Sequence, residues 1–424
     1  MSFLALGVLF IIFFATICKP KWGVYIFALL GPGLSLARED TILGISFSGA
    51  LGLSIVLGLS FHTLLSKNRI FMSPILWPSL WFICAYVLAL GLSGEGAYRV
   101  GMLFYYIVLH IFVYNTAVAA NQTTPRVIEK LALATVVVCT LAISSYFVGW
   151  PPWEATEGFR LNSLRIARLQ GMSHNPNMFA YLPLLGFPLV VVQLLVTQRP
   201  LGRVFWGTGA LICLLALLLT FSRGAYIGFG MGVLILLLCT GMQRTLRYAM
   251  VLTLVVVLFF GLIQGNWIIL VAERMATVGE LSGDIARLQQ FKGGMHAFIS
   301  SPFWGVGLRR APTTIQEYIP GAINPTPHND ILMTAVETGL LGLIPLLIII
   351  YRIITTLLRA IPKSFGTSRL YLAGMLAGIV GYFVNGMFHY SLNWGVFWFV
   401  MALGLAYAKQ ALTTSNVAHH EIPR

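Results

Sequence analysis

Ile331-Leu-Met-Thr-Ala-Val-Glu337-Thr-Gly339-Leu-Leu-Gly342-Leu-Ile-Pro345-Leu-Leu-Ile-Ile-Ile350 holds one charge in twenty residues and stays mostly apolar as far as Leu358. A helix rises about 1.5 Å per residue, so this stretch alone crosses a hydrocarbon core about 30 Å thick. Working outward, further apolar runs lie at about 3–17, 21–37, 42–65, 72–92, 99–120, 130–149, 177–197, 203–221, 224–241, 247–271, 369–388 and 392–410. None shows the alternation of a barrel strand, so each reads as a helix whose backbone is satisfied internally. With 58% hydrophobic and 9% charged residues, a soluble globular domain is excluded, since such domains carry about a quarter charged residues. The expectation is an all-α polytopic membrane protein, one integral membrane domain over 1–424 with twelve or thirteen transmembrane helices. The run 3–17 is short for a full crossing. It lacks a basic residue before its apolar core and a small-x-small cleavage site, so it reads as retained.

The charges sit in the gaps. Alternating the gaps between two sides places sixteen Lys and Arg with only Glu129 and Glu421 on one side. That side is cytoplasmic by the basic bias of short inner loops, and it accounts for the whole net charge of +14. No nucleic-acid partner is implied. The opposite, outer side carries Arg38, Arg99, Arg160, Arg165, Arg168, Arg223, Arg274, Arg287, Lys292, Arg309 and Arg310 beside eleven acids. Ten of those eleven bases are Arg, whose planar fork of donors suits phosphate. Pairing with the outer acids is the plainer account for most of them. This side also holds the two long polar gaps, 149–177 and the larger 272–329, the second expected to contain amphipathic helices.

Four segments concentrate the polar chemistry. Asn324-Pro-Thr-Pro327-His328-Asn329-Asp330 opens the long span; Asn329 or Asp330 can cap it, and His328 at its mouth can take a proton from a hydroxyl near neutral pH. Leu219-Thr-Phe-Ser222-Arg223-Gly224 is a tight outer turn that leaves Arg223 close to hydrocarbon on both sides. Asp284 to Gly307 reads as an amphipathic helix with Ile285, Leu288, Phe291, Met295 and Phe298 at helical spacing and Arg287 and Lys292 on another face. Pro302, Gly305 and Gly307 end it. Arg165-Ile-Ala-Arg168 reads as two arginines on one helical face, ahead of an Asn175-Pro176-Asn177 turn. The five cysteines lie in or beside apolar runs, and no acidic pair or His-x-x-x-His marks a metal site, so neither a disulfide framework nor a metal is expected. Ionisable residues in mid-span are scarce, chiefly His110 and Glu337.

Together, Asn175-Pro176-Asn177, Thr220-Phe-Ser222-Arg223-Gly224, Arg287 ahead of Ser301-Pro302-Phe-Trp-Gly305-Val-Gly307, and His328-Asn329-Asp330 with Glu337-x-Gly339 resemble the O-antigen ligase and polymerase superfamily of bacterial envelope glycosyltransferases. The resemblance runs from about Arg160 to Phe388, in the family's order. It implies a GT-C-like, cofactor- and metal-independent inverting transfer on the periplasmic face of the inner membrane. The donor would be a glycan on undecaprenyl pyrophosphate, the acceptor a sugar hydroxyl of lipid A-core or of a second lipid-linked glycan. His328 would be the catalytic base, with Arg223 and Arg287 as pyrophosphate ligands. Arg165, Arg168, Lys292, Arg309, Asn329, Asp330 and Glu337 would support them. An O-antigen ligase is favoured by the compact chain and single large outer loop. An O-antigen or exopolysaccharide polymerase shares the chemistry, while a lipid-linked sugar flippase fits less well because the basic residues stop at one face instead of crossing the bilayer.

Overall fold

The computed structural model describes residues 3–34, 36, 47–66, 70–120, 123–153, 156–161, 164–173, 175–240, 282–322, 324–392 and 394–420. The helices are α1 (Phe3–Cys18), α2 (Pro20–Leu34), α3 (Phe47–Ser66), α4 (Leu76–Ser93), α5 (Ala97–Ala119) and α6 (Thr123–Val148). After a two-stranded hairpin, β1 (Thr156–Leu161) and β2 (Leu164–Arg168), come α7 (Pro176–Phe179), α8 (Tyr181–Val196), α9 (Pro200–Leu219) and α10 (Arg223–Thr240). Then follow α11 (Ser282–Ser300), α12 (Ala311–Tyr318), α13 (Asp330–Ala360), α14 (Gly366–Gly386) and α15 (Gly395–His420).

Among the described residues, ten helices are long and apolar enough to cross a membrane. Of the thirteen expected runs, 3–17 and 21–37 form the shorter helices α1 and α2, of 16 and 15 residues, and 247–271 lies outside the described residues. The protein is a multi-pass, helical membrane protein, and among the described residues the strands are the pair β1–β2.

Burial sorts the spans. The α7–α8 span buries 83% of its apolar window and α15 78%, whereas α10 buries 28%. The first two are therefore central and α10 peripheral. Without a hydrophobic force between helices in lipid, close packing depends on small residues. A Cβ at Gly228 on α10 would stand 2.5 Å from the carbonyl oxygen of Gly381, and one at Gly232 2.9 Å from that of Ala377. Thus α10 lies backbone to backbone on α14, and its first residue, Arg223, is fixed beside the end of α14.

The connections 93–97, 148–176, 219–223, 300–330 and 386–395 gather at one end, joined by contacts such as Asn329 Nδ2 donating to the Met387 carbonyl at 3.0 Å and Leu308 N–H to that of Ala89 at 3.3 Å. At the opposite end lie Arg126, Lys130, Arg199, Arg203, Arg352, Arg359, Lys363, Arg369 and Lys409, with Glu129 the acid among the described residues there.

Candidate active site

Two turns at the loop-rich end are locked together by Arg168. Its Nε donates to the Thr220 carbonyl and its Nη2 to Asn177 Oδ1, both at 2.8 Å. The neighbouring Leu169 N–H donates to the Leu219 carbonyl at 2.9 Å. Arg165 and Arg168 do not share a helical face, as their spacing suggested; they lie on strand β2, paired antiparallel with β1. Residues three apart on a strand fall on opposite faces, and it is Arg168 that reaches the turns. An Arg-Ile-Ala-Arg run fits either period, and pairing with 156–161 decides for the strand. The side chain of Arg165 lies outside the described residues. Asn175 caps α7, its Oδ1 accepting from the N–H groups of Asn177 and Met178.

Phe221, at φ 47°, turns the chain between α9 and α10. Arg223 follows as the first residue of α10 and lines a pocket of about 480 Å³. Arg287 from α11 and His328 from the mouth of α13 line the same pocket, with Ile227, Phe291, Asn329, Met387 and Phe388 around them. The three residues expected to act together thus meet in one cavity. Helix α11 presents its small residues inward: a Cβ at Gly293 would meet Ile315 of α12, and one at Gly294 Leu332 of α13. Its apolar side chains Ile285, Leu288, Phe291 and Met295 are exposed, Leu288 and Phe291 also lining the pocket. Gln290, buried between, donates to the Asn324 carbonyl at 2.5 Å and accepts from His328 N–H at 3.4 Å, tying Arg287's helix to the segment that carries His328.

Asn329 caps α13, its Oδ1 accepting from Leu332 N–H at 2.9 Å. The Asn324 amide donates to Nε2 of His328 at 3.1 Å, which leaves the imidazole's own proton on Nδ1. Burial, helped by the Arg287 guanidinium, holds His328 below the ordinary 6.5, so the ring is neutral and able to accept a proton. His389, on the α14–α15 connection, stacks on it with centroids 5.5 Å apart and planes 16° from parallel. Burial first, then electrostatic coupling to the His328 ring and the charges of Arg287 and Arg168, bring His389 down to about 3.

Asp330 does not face the pocket. It is buried and accepts from Ser391 N–H at 2.7 Å, Ser391 Oγ at 2.5 Å and Leu392 N–H at 3.2 Å, sewing the start of α13 to the α14–α15 connection. Glu337 is likewise buried and structural. Both its oxygens lie 2.8 Å from Arg99 Nη1, and Oε1 also accepts from Arg309 N–H at 2.7 Å. Arg309 therefore contributes its backbone, while its side chain, like that of Lys292, is exposed and does not line the pocket.

Two turns into α13 the helix is broken. Gly339 has φ 61° and ψ −158°, and the loop after α11 fills the gap. Val306 N–H donates to the Val336 carbonyl (2.8 Å) and Gly307 N–H to that of Glu337 (3.1 Å). In return Leu340 N–H donates to Pro302 O (2.7 Å) and Leu341 N–H to Phe303 O (3.3 Å). A Cβ at Gly305 would lie 2.4 Å from the carbonyl carbon of Glu337. Two motifs separated in sequence, Ser301–Gly307 and Glu337-x-Gly339, are one seam that hangs α11 on the bundle.

His389, Gln290, Asn324 and the partnership of Arg99 with Glu337 were not anticipated. A mid-span carboxylate demands a cation, so some outer arginine was owed to Glu337; nothing local singles out His389. Among the described residues no three His, Cys, Asp or Glu side chains are grouped to hold a metal. A comparison with curated proteins finds no match. The family model described as O-antigen ligase matches residues 208–347, a stretch that includes Arg223, Arg287, His328 and both halves of the seam. Residues 208–347 are thus an O-antigen ligase family domain, of the kind shared by O-antigen ligases and polymerases, set in a multi-pass membrane protein.

Proposed function

We propose that this protein is a periplasmic-face glycosyltransferase, an O-antigen ligase, that moves a glycan from undecaprenyl pyrophosphate to a sugar hydroxyl of lipid A-core. The observation that carries the reading is that Arg223, Arg287 and His328 line one pocket at the end of the bundle opposite the basic loops. That basic bias favours the opposite end as cytoplasmic. The exposed apolar side chains of α11, Ile285, Leu288, Phe291 and Ile299, suit a helix lying at the lipid interface. This would set the pocket at headgroup depth, where a lipid-borne pyrophosphate resides.

In this mechanism the two guanidinium groups hold the pyrophosphate and offset the charge that grows on it as the anomeric C–O bond breaks. The acceptor hydroxyl takes the place of the Asn324 amide at Nε2 of His328 and gives its proton to that nitrogen. Its oxygen bonds the anomeric carbon from the face opposite the leaving group, inverting configuration. Undecaprenyl pyrophosphate departs as the anion the arginines already neutralise. Neither step draws on a group outside the chain and its two substrates.

A polymerase would use the same donor and leaving group with a second lipid-linked glycan as acceptor, and the matched domain serves both. The larger of the two long polar gaps in the sequence, 272–329, is what favours the ligase in this reading. Reconstitution in liposomes with lipid-linked glycan and both acceptors together tests this. Glycan arriving on lipid A-core supports the ligase; chain growth on the second lipid-linked glycan assigns the polymerase; transfer to neither, with donor moved across the bilayer, rejects both.

A further inference from the structure

We propose that His389 is a positioning residue for His328, presenting a flat, uncharged face that fixes the plane of the reacting imidazole. The proposal deepens the reading above and rests on it. The His389 ring contacts two others, His328 with centroids 5.5 Å apart and Tyr181 with centroids 6.2 Å apart. Its backbone is anchored on both sides: Tyr181 Oη donates to the His389 carbonyl at 2.8 Å, and His389 N–H donates to that of Asn385 at 3.1 Å. The flanking residues are sewn to the segment carrying His328, through Asn329 to Met387 and through Ser391 and Leu392 to Asp330. These bonds hold the His389 backbone against the segment that carries His328, so the two rings project from fixed points of the fold.

Charge explains why the face must be neutral. Arg287 on α11 and Arg168 at the end of β2 act on His389 together with His328, and Arg223 of α10 lines the same pocket. The carboxylate nearest in sequence, Asp330 on α13, is engaged by Ser391 and Leu392. A second cation here would oppose protonation of His328 at the moment it takes the hydroxyl's proton. An imidazole held neutral by burial and those arginines supplies a stacking surface without that charge. The face matters because misplacing a reacting group by about 1 Å costs on the order of a hundredfold in rate.

Three variants of the full-length protein in liposomes test this, with His328→Ala as control and thermal unfolding as the check on folding. His389→Phe keeps a flat neutral ring and should keep most of kcat. His389→Leu keeps bulk but no flat face, and kcat should fall about tenfold to a hundredfold with the donor KM little changed. His389→Ala should in addition let water reach His328 and move the acid limb of kcat/KM upward toward 6.5. Wild-type kcat in both the Leu and Phe variants overturns the proposal, as does a Phe variant as slow as Leu, which would assign the role to a ring nitrogen. If His328→Ala turns over normally, the catalytic reading itself falls and this proposal with it; a dead His328→Ala beside a normal His389→Leu removes this proposal alone.

Discussion

Gly339→Ala puts a single methyl group into the seam that carries α11. At φ 61° and ψ −158° the position lies where only glycine is at ease, and another residue costs about 1–3 kcal/mol there. The added Cβ would stand 2.4 Å from Phe303 O, 2.5 Å from its carbonyl carbon and 2.7 Å from Gly305 N. All three are backbone atoms, so the loop 301–307 must withdraw. Four hydrogen bonds cross the seam, each with a net worth of about 1 kcal/mol. Losing half of them brings the total to roughly 3–5 kcal/mol, the upper range for one substitution. Because α11 ends at Ser300, just before this loop, Arg287 and Gln290 should drift from the pocket. The expected outcome is a lowered Tm in lipid nanodiscs and weakened donor binding. Gly230→Ala serves as control, since its methyl meets nothing within 4 Å. An unchanged Tm and turnover in Gly339→Ala would refute the account of the seam.

Arg223→Lys keeps charge but not the planar fork; losing a charge-assisted hydrogen bond to pyrophosphate should lower kcat/KM roughly 10- to 150-fold, and wild-type kinetics would reduce Arg223 to an anchor of its turn. Burial and Arg287 hold His328 below 6.5 in the free protein, and its neutral form is the active one. The acid limb of kcat/KM should therefore fall below 6.5 and move upward in Arg287→Gln; a wild-type limb above 6.5 contradicts this. Glu337→Gln leaves Arg99 facing a neutral amide and should destabilise the fold by about 3 kcal/mol, read as a lower Tm, whereas an equal Tm would make the pair dispensable.

Hydropathy made the spans legible because lipid imposes apolar composition on every outward surface, and the ordered motifs led to Arg223, Arg287 and His328, which share one pocket. Composition is blind to backbone angles, so Ile331–Ile350 reads as unbroken although Gly339 interrupts it. The spacing of Arg165 and Arg168 suits a helix, and only long-range pairing with 156–161 shows the strand. Arg99 and Glu337 stand 238 residues apart in the chain, and His328 and His389 meet only because α13 and α14 are joined at their ends. For these, the sequence supplies a need, a buried carboxylate or a lone imidazole, without naming the partner. Asp330 illustrates the converse: its place beside Asn329 suggests the pocket, while its hydrogen bonds give it to Ser391 and Leu392.

The central claim is that one imidazole beside two guanidinium groups performs the transfer. It is tested most directly by single-turnover transfer from undecaprenyl-pyrophosphate-linked glycan in proteoliposomes, with donor binding measured on the same preparation, for wild type and His328→Ala. The account predicts donor binding retained and the transfer rate lowered by about 10²–10⁴. Transfer at the wild-type rate in His328→Ala would contradict it.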